Sequence, residues 1–378
     1  MPQALFVKKV DGKPGEVYYP LQLNSVPKPK PGPDELLIQL HAAALNHRDF
    51  FIRQHLYPGI SFTHPLLADG SGTVVEIGNP TTNSPSSSSS SSYLGKRVIL
   101  YPASGWSSSP SAPEDPSKFT TLGAAALSPI GTAQDYVAVP ASQIELAPPH
   151  LSPAEAAALP LVGLTAWRAL VTKALDGDVS RAVAGRNILV TGIGGGVALC
   201  ALQFGVALGC NVFVTSSSAS KLSRAVTSLG AKGGVSYRDS DWDKQLAAQL
   251  PRDRPYLDAV IDGAGGDIIA KTVRLVRHGG VVVVYGMTVS PRMDWLMSAV
   301  MRNIELRGTT MGSRDEFRDM VAFVREHRIR PVVSRVVKGL DNIEGIDGLF
   351  EDMRDGKQFG KLVIEISSPP DEEGGAKL

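Results

Sequence analysis

The chain has 378 residues, of which 43% are hydrophobic and 20% charged, with a formal net charge of +1. That length suits two domains with sizeable cores, and a balance so close to neutral argues against a nucleic acid or another polyanion as partner. No run reaches the roughly 20 apolar residues of a membrane helix, and the opening "MPQALFVKKVDGKPG" holds no apolar signal segment.

The first 80 residues alternate short β-rich runs with Gly and Pro punctuation, as in "ELLIQLHAAAL" and "GSGTVVEIG". "NPTTNSPSSSSSSSYLGKRVIL" follows, and its serine run cannot bury apolar surface, so a disordered loop between two strands is expected. "SGWSSSPSAPEDPSKFT" reads as a second long surface loop. From about Leu161 the texture changes. β-branched runs such as "NILVTG", "NVFVTS", "LDAVIDGAG" and "VVVVYGM" alternate with helical stretches such as "VALCALQFGVALG", "ASKLSRAVTSLG" and "IIAKTVRLVRHGG". Repetition of this kind predicts a parallel sheet covered on both faces. "GKLVIEI" reads as a late strand, and the closing "SSPPDEEGGAKL" as a frayed, solvated end. The two cysteines, Cys200 and Cys210, fall in one expected helix and its exit, which suits neither a disulfide framework nor a zinc cluster. A cytoplasmic enzyme acting on a small molecule is the expectation.

The stretch "VTGIGGGVALCALQFGVALG" sets glycines between a buried strand and a helix that ends at Gly209. A pyrophosphate fits such a place, because glycine lets the backbone approach and the helix start offers free N–H groups. The spacing Gly192-x-x-Gly195-x-x-Ala198, with the overlapping Gly192-x-Gly194, supplies the small residues, and Gly196 and Val197 open the helix. An NAD site places an acid about 20 residues on, for the ribose hydroxyl. Here Ser216, Ser217 and Lys221 stand there, and no Asp or Glu occurs from Val179 through Arg238. Hydroxyls and cations suit a 2′-phosphate, so NADP(H) is expected. The plainer alternative makes Lys221 and Arg224 a solvated helix face.

"AALNHRDFFIRQHLYPGISFTHPLLADGSGTVVEIG", "AAALPLVGLTAWRAL", the glycine turn, "GAKGGVSYR" and "FGKLVIEI" together resemble the medium-chain dehydrogenase/reductases over nearly the whole chain. The resemblance implies an α/β fold in which a GroES-like β domain (1–150 and 313–378) is interrupted by a Rossmann doubly wound parallel-sheet domain (151–312), with the active site in the cleft between. The zinc-binding branch of that family needs Cys, His and often Glu ligands. The N-terminal region has no cysteine, and Ala68-Asp69-Gly70 stands where that branch has a His-Glu pair. His41, His47, His55 and His64 fit no zinc set and read as surface or loop histidines. The chain is thus similar to the zinc-free quinone oxidoreductase branch, and no metal is expected.

Carried over from that branch, Asn46 and Thr165 match contacts near the nicotinamide, with a turn cap and an internal helix hydroxyl as the plainer alternatives. Lys221 and Tyr237 match the clamp on the 2′-phosphate and adenosine, with Ser217 beside them. Gly286, Met287 and Thr288 follow a parallel strand, where ligands gather; Tyr285 before them packs or binds with equal claim. Met311, Gly312 and Ser313 follow the last Rossmann strand and are expected to reach the nicotinamide, while Lys361 lines the cleft. Without a metal Lewis acid the fitting substrate is already electrophilic, a quinone or an α,β-unsaturated carbonyl. The anion formed needs hydrogen-bond donors and a proton; Arg53 and Tyr57 are candidates beside Asn46, with pairing to Asp49 and simple packing as alternatives, and water as another proton source. Two other functions stay open: a zinc-free alcohol or aldehyde reductase, and an NADPH-binding sensor or RNA-associated protein with little turnover, although no basic run with interleaved aromatics supports the last. The family habit adds a possible homodimer through the Rossmann sheet edge.

Overall fold

The computed structural model describes residues 1–79, 91–288 and 290–368. The serine run lies outside these residues as far as Ser90, and so does the expected frayed end beyond residue 368; Ser91–Tyr93 form a short 3-10 turn. The chain divides into two compact units, Met1–Leu161 with Ser313–Leu378, and Val162–Gly312. The first crossing thus comes after Leu161 and not after residue 150. The helix Pro153–Ala157 belongs to the first unit because its buried Ala157, with Ala158, packs against Ala42, Ala44 and Val363 of that unit's sheet.

The first unit is built on a seven-stranded sheet. Its path runs Val333–Lys338, Lys361–Glu365, Glu35–Ala44, Asp69–Ile77, Arg97–Leu100 and Ile144–Leu146, with Tyr136–Pro140 also paired to Glu35–Ala44. Glu35–Ala44 is buried along almost its whole length. Leu36, Ile38 and Leu40 alternate into one core with Val74, Val98 and Val137, while Ala43 joins a second core with Phe350 and Ile364. A strand with apolar packing on both faces loses the polar alternation of a half-exposed one. His41 is a correction to the expected surface histidine. It is 1% exposed, with Nε2 2.8 Å from the Thr73 hydroxyl and Nδ1 2.9 Å from that of Ser367. Two hydroxyl partners make a buried imidazole tolerable, and burial, then the Arg97 charge, pushes its pKa down.

Register decides what meets at the end of this strand. Ala44 lies opposite Val363 on one side and Asp69 on the other. The chain then passes Leu45, whose N–H donates to Leu362 O at 2.9 Å, and turns at Asn46 into the helix His47–Arg53.

The second unit is a six-stranded, wholly parallel sheet. Its order is Gly233–Ser236, Asn211–Ser216, Asn187–Val190, Leu257–Asp262, Val276–Val284, Glu305–Gly308, the doubly wound order 3-2-1-4-5-6. The central Asn187–Val190 is buried throughout, as a strand covered on both faces must be. The helix Gly196–Ala207 ends with Gly209 at a φ of 78°, as its position predicts. The expected helical stretch "IIAKTVRLVRHGG" is corrected: the helix spans only Ile268–Thr272, and Val276 already pairs with Leu257. The loop expected around Trp106 is anchored. Trp106 is 3% exposed and meets Phe119 edge-on, and Glu114 accepts backbone N–H bonds from Ser107, Ser108 and Ser109 at 2.7–2.9 Å.

Candidate active site

In the second unit the glycine turn follows the first strand of the sheet and is fastened to its neighbours. Gly192 N–H donates to the Thr215 hydroxyl at 3.2 Å, and Ile193 N–H to Thr215 O at 2.8 Å. Thr191, just before the turn, donates its hydroxyl to Asp262 at 2.6 Å, and the Asp262 carboxylate also accepts the N–H groups of Gly265 and Ala264 at 2.7 and 3.2 Å. Gly192 and Gly194 have φ of 67° and 126°, which only glycine adopts without strain. A Cβ at Gly194 would come within 3.0 Å of Lys221 Cδ and 3.3 Å of its Nζ, so the bare backbone and the lysine share one small space. Gly195 caps the helix that Gly196 and Val197 begin.

Lys221 comes to the turn because Ser218 caps the helix Ala219–Leu229, accepting the Lys221 N–H at 3.4 Å. Burial lowers the lysine pKa, so this ammonium is partly stripped of water. Ser216 is 3% exposed and its hydroxyl donates to Ile193 O at 3.4 Å, which ties the strand end to the glycine turn. Ser217 is half-buried, and Tyr237, 49% exposed, donates its N–H to Ser216 O at 3.2 Å. Arg224 is exposed on the helix. Gly286, Met287 and Thr288 follow the strand Val276–Val284, with Thr288 fastened to Gly263 O at 3.1 Å. The Tyr285 ring covers Gly263, where a Cβ would fall 2.5 Å from it, so this tyrosine packs. Thr165 is 5% exposed within the helix Pro160–Trp167.

Met311 is 6% exposed, with a φ of 51°, and Gly312 ends the unit. Ser313 belongs to the first unit, where it caps a helix. Its hydroxyl accepts Glu316 N–H at 3.2 Å while its own N–H donates to the Glu316 carboxylate at 2.8 Å, a capping box that starts the helix Arg314–Glu326. The signature Ser-x-x-Glu is present in "SRDE".

In the first unit the strand register gathers a polar cluster. Lys361 Nζ donates to Asn46 Oδ1 at 2.6 Å and to Asp69 Oδ2 at 2.9 Å. Asn46 Nδ2 donates to the same Asp69 oxygen at 3.0 Å, and Leu161 N–H donates to the other one at 2.9 Å. Asp69, Lys361 and Asn46 are 0%, 4% and 6% exposed. Buried charges persist when they are paired and hydrogen-bonded, as these are. The sequence alone assigns Asp69 no role in the site; its signal is a carboxylate directly after the apolar Leu66-Leu67-Ala68. Below it, Asp49 accepts Asn46 N–H at 2.8 Å and pairs with Arg48 at 3.1 Å; burial dominates and raises its pKa to about 6.

Arg53 and Tyr57 do not join this cluster. Arg53 donates to Tyr19 O at 2.9 Å and to Asp347 at 2.6 Å, and its guanidinium lies 4.1 Å from the Tyr18 ring. It ties the helix His47–Arg53 to the helix Ile343–Arg354, and neither serves as a donor beside Asn46 nor pairs with Asp49. Tyr57 takes the Arg48 guanidinium over its ring at 4.8 Å and lines a surface hollow with His55 and Phe62.

A zinc ion does not fit these side chains. The Asp69 carboxylate is committed to two donors and a backbone N–H, both cysteines are buried in the other unit, and among the described residues no three His, Cys, Asp or Glu side chains converge. A dinucleotide does fit the glycine turn, where added Cβ atoms would strain the backbone and crowd Lys221. No helix among the described residues is long and apolar enough to cross a membrane.

Residues 32–149 match the family model described as alcohol dehydrogenase GroES-like domain, and residues 196–326 the one described as zinc-binding dehydrogenase. The zinc-type alcohol dehydrogenase-like protein YogA of Leptosphaeria maculans is 59% identical over 97% of this chain and 100% of its own. The trans-enoyl reductase tazE of Aspergillus terreus is 28% identical over 67% of this chain and 76% of its own. A solved NAD-dependent alcohol dehydrogenase superposes with a TM-score of 0.77 at 27% identity, covering 97% of this chain and all of its own. A doubly wound sheet with a glycine turn implies a nicotinamide cofactor, and with these likenesses it identifies the chain as an oxidoreductase of the medium-chain dehydrogenase/reductase family.

Proposed function

We propose that the protein is an NADPH-dependent, zinc-independent reductase that adds hydride to a quinone or an α,β-unsaturated carbonyl. The observation that carries this reading is the Asn46–Asp69–Lys361 cluster: Asp69, in the Ala68-Asp69-Gly70 stretch that stands where the zinc-binding branch has a His-Glu pair, is bound by an ammonium and an amide, so the site offers hydrogen bonds to an oxygen and no ligand set for a Lewis acid. The nicotinamide, when bound, supplies the hydride. The glycine turn receives the pyrophosphate, and Lys221, with Ser217 and Tyr237 beside it, receives the 2′-phosphate. The acid-free stretch from Val179 to Arg238 supports NADPH, although the solved neighbour above is named for NAD. The name of the trans-enoyl reductase relative supports the conjugated alkene, and the name of the alcohol dehydrogenase-like relative supports the second reading, an alcohol or aldehyde reductase.

The test is oxidation of NADPH and NADH against quinones, enones and aldehydes, with metal analysis of the purified protein. Turnover of quinones or enones that survives chelation is expected. Zinc near one per chain, or turnover of aldehydes alone, overturns the reading. The cofactor choice has its own test. A charge-assisted bond to phosphate contributes roughly 1.5–3 kcal/mol, so Lys221→Ala should weaken NADPH binding by about 10- to 150-fold and leave NADH nearly unchanged. Ser217→Asp should shift preference toward NADH. Equal losses for both cofactors in Lys221→Ala would place the lysine outside 2′-phosphate recognition.

A further inference from the structure

The donors in the Asn46–Asp69–Lys361 cluster can be counted. A lysine ammonium carries three hydrogens and an asparagine amide two. Lys361 gives one to Asn46 Oδ1 and one to Asp69 Oδ2, and Asn46 gives one to the same Asp69 oxygen. Among the described residues, one hydrogen on each of Lys361 Nζ and Asn46 Nδ2 is left unassigned. Both nitrogens bond to one carboxylate oxygen, at 2.9 and 3.0 Å, which keeps them neighbours. The carboxylate is itself fixed, because its other oxygen accepts Leu161 N–H at 2.9 Å and the Asp69 carbonyl accepts the Thr132 hydroxyl at 2.8 Å. The amide is also held, because its carbonyl accepts the lysine and its backbone N–H is tied to Asp49 at 2.8 Å. Such a pair needs no reorganisation to meet a forming negative charge.

We infer that Lys361 Nζ and Asn46 Nδ2 form a two-donor oxyanion site for the carbonyl oxygen of the acceptor, and that Asp69 is the positioning residue that aims both. The inference rests on the proposed reductase reading and deepens it. The reduced nicotinamide, when bound, would supply the hydride to the acceptor carbon and would itself be oxidised in doing so. The π electrons of the conjugated system move to oxygen, and the two N–H groups hold that oxygen as an enolate or hydroquinone anion. Water then delivers the proton, so Lys361 keeps its own. Asp69 balances the lysine charge and accepts three hydrogen bonds, which leaves it a poor competitor for the donors.

The experiment compares Lys361→Met, Asn46→Ala and Asp69→Asn with the wild type by enone turnover, NADPH affinity from fluorescence, and the ionisation of bound 4-nitrophenol read by phenolate absorbance. Removing one donor should lower kcat on the order of 10²–10³-fold. NADPH affinity should stay within a few-fold. The nitrophenol bound to the wild type should ionise at a lower pH than it does in water, and in Lys361→Met and Asn46→Ala this advantage should shrink. Asp69→Asn keeps the shape and drops the counter-charge; it should lower kcat and disturb nitrophenol ionisation without moving the KM for NADPH, a split that a merely structural role would not produce. If Lys361→Met loses NADPH affinity with kcat intact, Lys361 is a cofactor contact and the inference falls. Unchanged nitrophenol ionisation in the two donor variants also overturns it, and Asn46→Ala keeps that arm available if Lys361→Met does not fold. If the wild type reduces no quinone or enone, the reductase reading fails on its own, while the nitrophenol arm still reports on the two donors.

Discussion

Asp49 is fully buried, and its nearest compensation is one arginine and one backbone N–H. Desolvation outweighs both and lifts its pKa from 3.8 to about 6. A carboxylate whose folded pKa is raised binds protons more tightly in the native state than in the unfolded one. Its stabilising share is complete below about pH 4 and is lost as pH rises through about 6. A shift of this size corresponds to roughly 3 kcal/mol. Asp49→Asn should therefore flatten the fall in stability between about pH 4 and 6, measured by urea unfolding at a series of pH values. A parallel pair of curves would show that Asp49 does not titrate in that window. Arg53 makes a second prediction at this scale. Its guanidinium joins Tyr19 O, Asp347 and the Tyr18 ring while only 2% exposed, so Arg53→Ala should cost roughly 2–4 kcal/mol of stability. NADPH affinity should not change; a selective loss of affinity would return Arg53 to the binding machinery.

Among the elements, the turn from strand Asn187–Val190 to helix Gly196–Ala207 has the least room for change. At Gly194 a side chain meets a φ of 126° and the Lys221 stem at 3.0 Å. Gly194→Ala should cost about 1–3 kcal/mol of stability and weaken NADPH binding more than tenfold, since the lysine must move. Gly348 sits inside the helix Ile343–Arg354 with ordinary φ, and its added Cβ would meet Arg335 only at 3.4 Å. There, Gly348→Ala should stabilise by up to about 1 kcal/mol with no effect on cofactor affinity. Thermal melts and fluorescence titration read both, and equal behaviour of the two variants would show that the turn is an ordinary loop.

For the whole molecule, the outstanding surface feature is apolar. Met297, Met301 and Val300 are 70%, 72% and 49% exposed, and they precede Glu305–Gly308, the edge strand of the parallel sheet, on which Leu306 is 45% exposed. An unpaired edge beside exposed apolar side chains is a template for a second strand. We propose that a second copy of this chain covers it. Sedimentation velocity should then find a dimer at micromolar concentration, and the double variant Met297→Glu, Met301→Glu should sediment as a monomer. A monomeric wild type removes the proposal.

What the amino-acid sequence determined alone lies at short range. Strand and helix periods, the glycine turn and its helix, the acid-free stretch after it and the absence of cysteine from the first unit are all local properties, and local chemistry fixes them wherever the chain goes. The capping box at Ser313 is just as local and just as legible in "SRDE". The serine of Ser216 could not be assigned this way, because only the closed turn shows its hydroxyl facing Ile193 O. Tertiary structure decided the rest. Lys361 and Asn46 lie 315 positions apart, Lys361 and Asp69 292, and Arg53 and Asp347 294. Strand register brings the first three together at the end of Glu35–Ala44, and helix packing sends Arg53 away from them. A charge becomes part of a polar cluster or a strut according to which opposite charge it meets, and that partner is chosen by the pairing of strands and helices distant in the chain.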